Sequence, residues 1–337
     1  MHTRIDKSFV TAHGQAGFSI IELLVATAVG LTLVSGLALL FANSSRTGYE
    51  LDKSVRQIEN GRYAMEVLSE DVSLAGYYGE LPPAGFTFQT ADPCATTVVD
   101  TGWDHALLKL PVPLTGVGAA AVAGLGCVPN AKVGTVAFVV HRFDTATINA
   151  SALASSSSLY AQTSRCESDP FATKVVVSNN SAAFTLRDLD CLTLSQLRRY
   201  VTRIYYVASC SECGVDTTPT LKRVEVSGTS TSIAPLAEGV EEISFEYGFD
   251  TDGDGVPDVF LLALSGTAGA LDNDWSNVVA VRLNMLTRTT EATPGFSDSK
   301  TYNLGLAGSR GPFTDNYKRR VYVTTVRLNN VAGPREK

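Results

Sequence analysis

The densest group of chemistry-bearing side chains is Asp250-Thr251-Asp252-Gly253-Asp254-Gly255-Val256-Pro257-Asp258, a D-x-D-x-D-G-x-x-D spacing. Calcium is a hard cation that takes several oxygen ligands, and alternate carboxylates of a loop converge on it when a glycine permits the sharp turn. Here Asp250, Asp252 and Asp254 would bind directly and Val256 would offer its carbonyl. Asp258 would complete the set directly or through water, with Asp272 and Asp274 as extra candidates. Leu261 stands where an EF-hand carries its bidentate glutamate, and no helical flanks are apparent, so a true EF-hand is not expected. The competing reading is a plain acidic turn, because Asp and Gly favour turns and this stretch separates two apolar strands. Four close aspartates repel if they converge without a cation. The expectation is therefore a calcium loop that stiffens the chain or gates a contact instead of catalysing.

Other catalytic chemistry finds little material. There is no G-x-S-x-G, no G-x-x-x-x-G-K and no H-E-x-x-H. Of the four histidines, His2, His13, His105 and His141, the last lies in VAFVVHRF and reads as a strand residue facing solvent or a satisfied partner. Glu241 and Glu242 are adjacent on a strand, so they point to opposite faces and do not form a carboxylate pair. No enzyme is expected. A net charge of −7 with scattered basic residues argues against nucleic-acid binding, which needs clustered Lys and Arg. With 45% hydrophobic and 18% charged residues, the chain is not predominantly disordered.

Six cysteines, Cys94, Cys127, Cys166, Cys191, Cys210 and Cys213, all follow the apolar block described next, consistent with an oxidising compartment. They admit many connectivities, of which neighbour pairing (94 with 127, 166 with 191, 210 with 213) is the simplest. Cys210-Ser-Glu-Cys213 is one C-x-x-C without a second, which favours a structural disulfide at a turn over redox or zinc chemistry.

The elements that position these groups start with Phe18–Ala42, an apolar block broken by one charge, Glu22. As a helix it spans roughly 37 Å, enough to cross a hydrocarbon core of about 30 Å. Arg4 and Lys7 ahead of it place the N-terminus in the cytoplasm and the remainder outside. The run is longer than the apolar core of a secretory signal peptide. A carboxylate at membrane depth costs on the order of 2.5 to 3.5 kcal/mol on insertion scales. An ordinary anchor gives no reason for Glu22.

The residues Gly17-Phe18-Ser19-Ile20-Ile21-Glu22-Leu23-Leu24-Val25-Ala26 resemble the prepilin cleavage and methylation motif. The resemblance implies cutting by a prepilin peptidase between Gly17 and Phe18 and N-methylation of Phe18. It also implies pairing of Glu22 with the free amine of an adjoining subunit. A buried carboxylate and a buried ammonium are each costly alone and tolerable together. Because Glu22 lies four residues after Phe18, pairing within one chain before assembly is also geometrically open.

The apolar spacing continues through Tyr49, Leu51, Val55, Ile58, Met65, Leu68, Val72 and Leu74, predicting one long helix whose second half packs on a globular domain. Beyond Gly76, strands are predicted at 136–143, 174–177, 201–208, 221–226, 240–249, 259–264, 278–287 and 320–328, with loops at 116–126 and 151–158. The fold class is α+β, a long N-terminal helix on a mostly antiparallel β domain. It divides into a leader (1–17), a transmembrane helix (18–42), an amphipathic extension (43–76) and an extracytoplasmic β-rich domain (77–337).

LAEGVEEISFEYGFDTDGDG, WSNVVAVRLNMLTRT and RRVYVTTVRLNN, together with the leader and Gly76 and Gly79, resemble the PilW class of type IV pilus minor pilins. That resemblance implies a bacterial inner-membrane protein, single-pass with a periplasmic domain, that passes into the pilus, at its tip. The implied partners are other minor and major pilins, the prepilin peptidase, the inner-membrane pilus assembly machinery and a tip adhesin. The implied role is to prime assembly. A type II secretion minor pseudopilin shares the leader and architecture, and a calcium-stabilised adhesin on a membrane anchor is a further alternative.

Overall fold

A computed structural model describes residues 17, 19–81, 85–104, 107–153, 156–262 and 275–336. The chain divides into two units, residues 1–52 and 53–337. Helix α1 (Ile20–Leu74) runs unbroken for 55 residues, none of them proline. Within the first unit its side chains are bare, with Leu24, Leu37 and Phe41 at 63–76% exposure. An 18-residue window there reaches a mean hydropathy of 2.3, so α1 is long and apolar enough to cross a membrane.

In the second unit α1 presents a narrow stripe: Lys53, Gly61, Ala64, Leu68, Asp71 and Val72 are buried. The apolar spacing predicted otherwise for Val55, and likewise for Tyr49 and Leu51, all of which are exposed. Small residues set the contact instead. A Cβ at Gly61 would lie 2.4 Å from the Tyr322 ring, so the glycine allows the close approach. Lys53 Nζ donates to the Ala292 carbonyl at 3.1 Å, and Gln57 Nε2 to the carbonyls of Thr287 and Lys318, both at 3.1 Å. The helix ends at Gly76, whose φ of +73° suits glycine and whose N–H donates to the His141 carbonyl.

The strands are β1 (Thr87–Gln89), β2 (Lys109–Pro111), β3 (Leu114–Val117), β4 (Ala137–Phe143), β5 (Tyr160–Thr163), β6 (Val175–Ser178), β7 (Leu197–Ala208) and β8 (Thr220–Ser227). They continue as β9 (Ser230–Glu238), β10 (Val240–Phe249), β11 (Val259–Leu261), β12 (Val278–Arg288), β13 (Tyr302–Asn303), β14 (Ser309–Arg310) and β15 (Arg319–Arg327). A seven-stranded sheet runs β3-β4-β7-β5-β6. The second edge of β7 is shared: Leu197–Arg199 pair with β5 and Thr202–Ala208 with β8, which carries β9. A four-stranded sheet has the order β11-β10-β12-β15. Both are antiparallel throughout, as the α+β expectation required.

The main core joins helix and both sheets through Ala64, Leu68 and Val72, Phe138 and Tyr205, and Phe245, Leu283 and Met285. All seven residues of β4 are buried, because Phe138 and Val140 face this core while Ala137 and Val139 face a second cluster with Val122 and Val128. The predicted loop at 116–126 is corrected by the end of β3 and a short helix α2 (Ala119–Val122), whose Val122 seals that second cluster. Strand β9 escaped the sequence reading. It is an edge strand with a solvated face, so its sequence STSIAPLAE is polar and tolerates Pro235.

One buried ionic clasp fixes α1 on the large sheet. Asp71, 2% exposed, accepts from Arg142 Nε at 3.2 Å and Arg203 Nη1 at 2.7 Å, and from the Tyr205 hydroxyl. Arg203 and Arg199 both continue to Glu225. The carboxylate is tolerated because its charge and lone pairs are met at once. Burial, reinforced by the neighbouring Asp71 charge, holds the Tyr205 hydroxyl far above the usual phenol range.

Candidate functional site

The start of α1 is built by Ser19 and Glu22. Glu22 Oε2 accepts the Ser19 N–H at 3.1 Å while Ser19 Oγ accepts the Ile21 N–H at 3.4 Å. This reciprocal capping answers two of the unpaired donors at a helix N-terminus, where a negative charge is also favoured. Ser19 was missed by the sequence reading, although the S-x-x-E spacing is its signature. Gly17 is exposed with nothing within 4 Å of a would-be Cβ. Phe18 lies outside the described residues.

The acidic loop follows β10. Asp250, Asp252 and Asp254 bring carboxylate oxygens within 4.8 Å of one another. Asp250 is already engaged: Oδ1 accepts from the N–H groups of Gly253 at 2.6 Å and Asp254 at 3.2 Å. Its Oδ2 accepts from Gly255 N–H and Arg335 Nη1, both at 3.0 Å. Burial opposes the charge on Asp250, but Arg335 and the amides of Gly255 and Gly253 outweigh it and bring the carboxyl down to about 2. Asp252 and Asp254 are exposed. Asp258 stands apart from this cluster, its Oδ2 accepting the Thr251 N–H at 2.7 Å and hydroxyl at 2.6 Å. Val256 is 58% exposed and its N–H donates to Asp254 Oδ1. Asp272 and Asp274 lie outside the described residues. The three-carboxylate donor set suits a hard cation, which would share the Asp250 oxygens with Arg335.

Residues 204–330 match the family model described as type IV pilus-assembly protein W. This part of the chain is similar to the PilW class of type IV pilus proteins. No curated protein and no solved structure matches the chain. The PilW match covers well under half of the chain, from the later part of β7 to Asn330, and so includes the four-stranded sheet and the acidic loop. The match supports involvement in type IV pilus assembly, and the apolar half of α1 is compatible with membrane anchoring.

Three disulfides, Cys94–Cys127, Cys166–Cys191 and Cys210–Cys213, reproduce the neighbour pairing, so the C-x-x-C is a bridge across a turn. The solvent-facing reading of His141 is corrected. It is fully buried, its Nδ1 lies 2.9 Å from the Tyr200 hydroxyl and 3.1 Å from Thr202 Oγ1, and its Nε2 has no partner among the described residues. Burial lowers its pKa to about 4. Glu241 and Glu242 bind different arginines, Arg319 and Arg310. Glu242 and Arg310 also line a cavity of about 460 Å³ walled by Phe245, Tyr247 and Trp275, where the two charges satisfy each other at 2.6 Å.

Proposed function

We propose that this chain is a minor pilin, cut between Gly17 and Phe18 by a prepilin peptidase, methylated at Phe18 and inserted through Phe18–Ala42. It then docks laterally where Glu22 meets the amine of a neighbouring subunit. The observation that carries this reading is the bare apolar half of α1 headed by Glu22, in a PilW-class chain. Glu22 caps the Ser19 N–H, one residue after the amine that cleavage would free. Contacts of this head-to-tail kind are open and propagate along a filament. The β domain then determines position, as one member of a minor-pilin tip complex that primes assembly, contacts major pilins and the inner-membrane machinery, and presents an adhesin-like tip protein. In this reading the chain is a structural subunit and not an enzyme.

The test is to express the full chain with its prepilin peptidase and measure the N-terminus and intact mass of the membrane-bound product. A chain starting at Phe18 with one added methyl group is expected. An uncut chain, or a cut beyond Ala42, overturns the assignment. Pull-down from the native membrane then separates pilus from secretion pseudopilus by which filament subunits co-purify.

We also propose that Asp250, Asp252 and Asp254 take up calcium, on the strength of their three converging carboxylates. Calcium is expected to raise the melting temperature of the chain, and Asp252→Ala with Asp254→Ala to abolish that rise. A wild type indifferent to calcium favours the plain turn.

A further inference from the structure

The Cys210–Cys213 bridge lies in the connection from β7 to β8, and a lysine of β8 is turned onto it. Lys222 is only 8% exposed. Its Nζ donates to Cys213 Sγ at 3.5 Å, its one hydrogen bond among the described residues. Asp216 feels its charge but makes no ion pair with it. A disulfide sulfur is a neutral and weak acceptor, so this ammonium is poorly compensated while the bridge is closed. A thiolate at Cys213 would give it both an opposite charge and a strong acceptor.

The turn is held by bonds that do not pass through sulfur. Asp216 accepts the N–H groups of Ser211 at 2.9 Å, Glu212 at 2.5 Å and Thr218 at 2.8 Å. The Glu212 carbonyl accepts from the N–H groups of Val215 at 3.0 Å and Asp216 at 3.1 Å. Opening the bridge therefore leaves the turn built and the two sulfurs near each other. Its sequence separation is 3, against 33 and 25 for the other two, so it restrains the unfolded chain least and opening it costs the fold least. Cys213 is half-exposed, beside the exposed Gly214 and Val215, whereas Cys210 is 6% exposed.

We propose that Cys210–Cys213 is a reversible thiol–disulfide exchange site whose co-reactant is a dithiol, either a small molecule or the paired cysteines of an oxidoreductase. One thiolate of the dithiol, drawn by Lys222, attacks the more exposed Cys213 Sγ. The bond between the two cysteines breaks, Cys210 leaves with the electron pair and takes up a proton, and a mixed disulfide joins Cys213 to the dithiol. The second thiolate of the dithiol then attacks its own bridged sulfur and releases Cys213 as a thiolate against Lys222. Two electrons pass to the chain and the dithiol becomes a disulfide. Of its two protons, one ends on Cys210 and one in solvent. The assignment goes beyond the pilin reading and rests on none of its processing or docking steps.

The test holds the full chain in detergent, near neutral pH, in buffers of graded reduced-to-oxidised dithiothreitol, then quenches, alkylates and maps the labelled cysteines by peptide mass. Cys210 and Cys213 should label while Cys94, Cys127, Cys166 and Cys191 stay oxidised, with the melting transition retained and the bridge restored on reoxidation. Lys222→Met should need about a tenfold higher ratio for half-reduction, one lost charge-assisted hydrogen bond, and Lys222→Arg should not. The wild type alone gives a second readout. Releasing one proton per bridge moves the equilibrium toward reduction by about tenfold per pH unit below the range where dithiothreitol itself ionises. Reduction of Cys94–Cys127, whose cysteines are also half-exposed, at the same ratio overturns the proposal. So does a closed bridge until the chain unfolds, a pH-independent equilibrium, or a folded Lys222→Met variant that matches the wild type.

Discussion

Asp71 and His141 are both buried polar side chains, and each predicts a different response. Asp71 compensates Arg142 and Arg203, so Asp71→Asn removes their shared buried counter-charge and leaves the buried Arg142 with only the longer pair to Asp144 at 3.4 Å. The expected loss is about 3 to 5 kcal/mol, read from denaturant unfolding, with the second half of α1 gaining hydrogen exchange first. His141 is held neutral by burial, with its pKa lowered from 6.5 to about 4. The unfolded chain therefore binds the extra proton first as pH falls, so stability is full above about pH 6.5 and drops progressively toward pH 4. The contribution is on the order of 3 kcal/mol across that window. His141→Gln should flatten the pH dependence of the melting temperature between those limits, and an unchanged slope assigns it to other groups. Neither role was legible in the sequence, because VAFVVHRF and SEDVSL do not say which face of strand or helix meets another element.

At the scale of elements, α1 docks through a stripe where backbone closeness matters more than apolar mass. Gly61→Ala sets a methyl group against the Tyr322 ring, and a loss of about 1 to 3 kcal/mol is expected from overpacking. Restoring space with Tyr322→Leu in the same chain should recover part of it, and additive losses would argue against the contact. Among the disulfides, Cys94–Cys127 closes a separation of 33 residues and Cys210–Cys213 one of 3. On the chain-entropy model their removal, by paired serines, should cost about 4 and about 2 kcal/mol respectively. Equal losses would point to native packing at the short bridge. Most long strands announced themselves by alternation in the sequence. Strand β9 did not, since a solvated edge needs no apolar face and β-branched residues are few in it.

For the whole molecule, assembly is the phenotype that matters. Glu22→Val should keep membrane insertion, because it removes the one charge in the apolar run, while weakening incorporation into a filament or tip complex. Fractionation followed by immunodetection of the sheared filament measures both. Normal incorporation of the variant contradicts the pairing of Glu22 with a neighbouring amine and leaves the carboxylate as a helix cap alone, a role that Ser19 and Glu22 already fill in the single chain.

The sequence by itself determined the long helix, its apolar first half, the leader resemblance, the antiparallel β character and the neighbour pairing of cysteines. All of these are written in local spacing and composition, which act along the chain. Only the tertiary structure decided that Asp71 sits between two arginines, that His141 is buried and that Asp250 is shared with Arg335 near the far end of the chain. These groups are separated by tens of residues or more, and burial, pairing and pKa arise from what folding brings close, which no local pattern encodes.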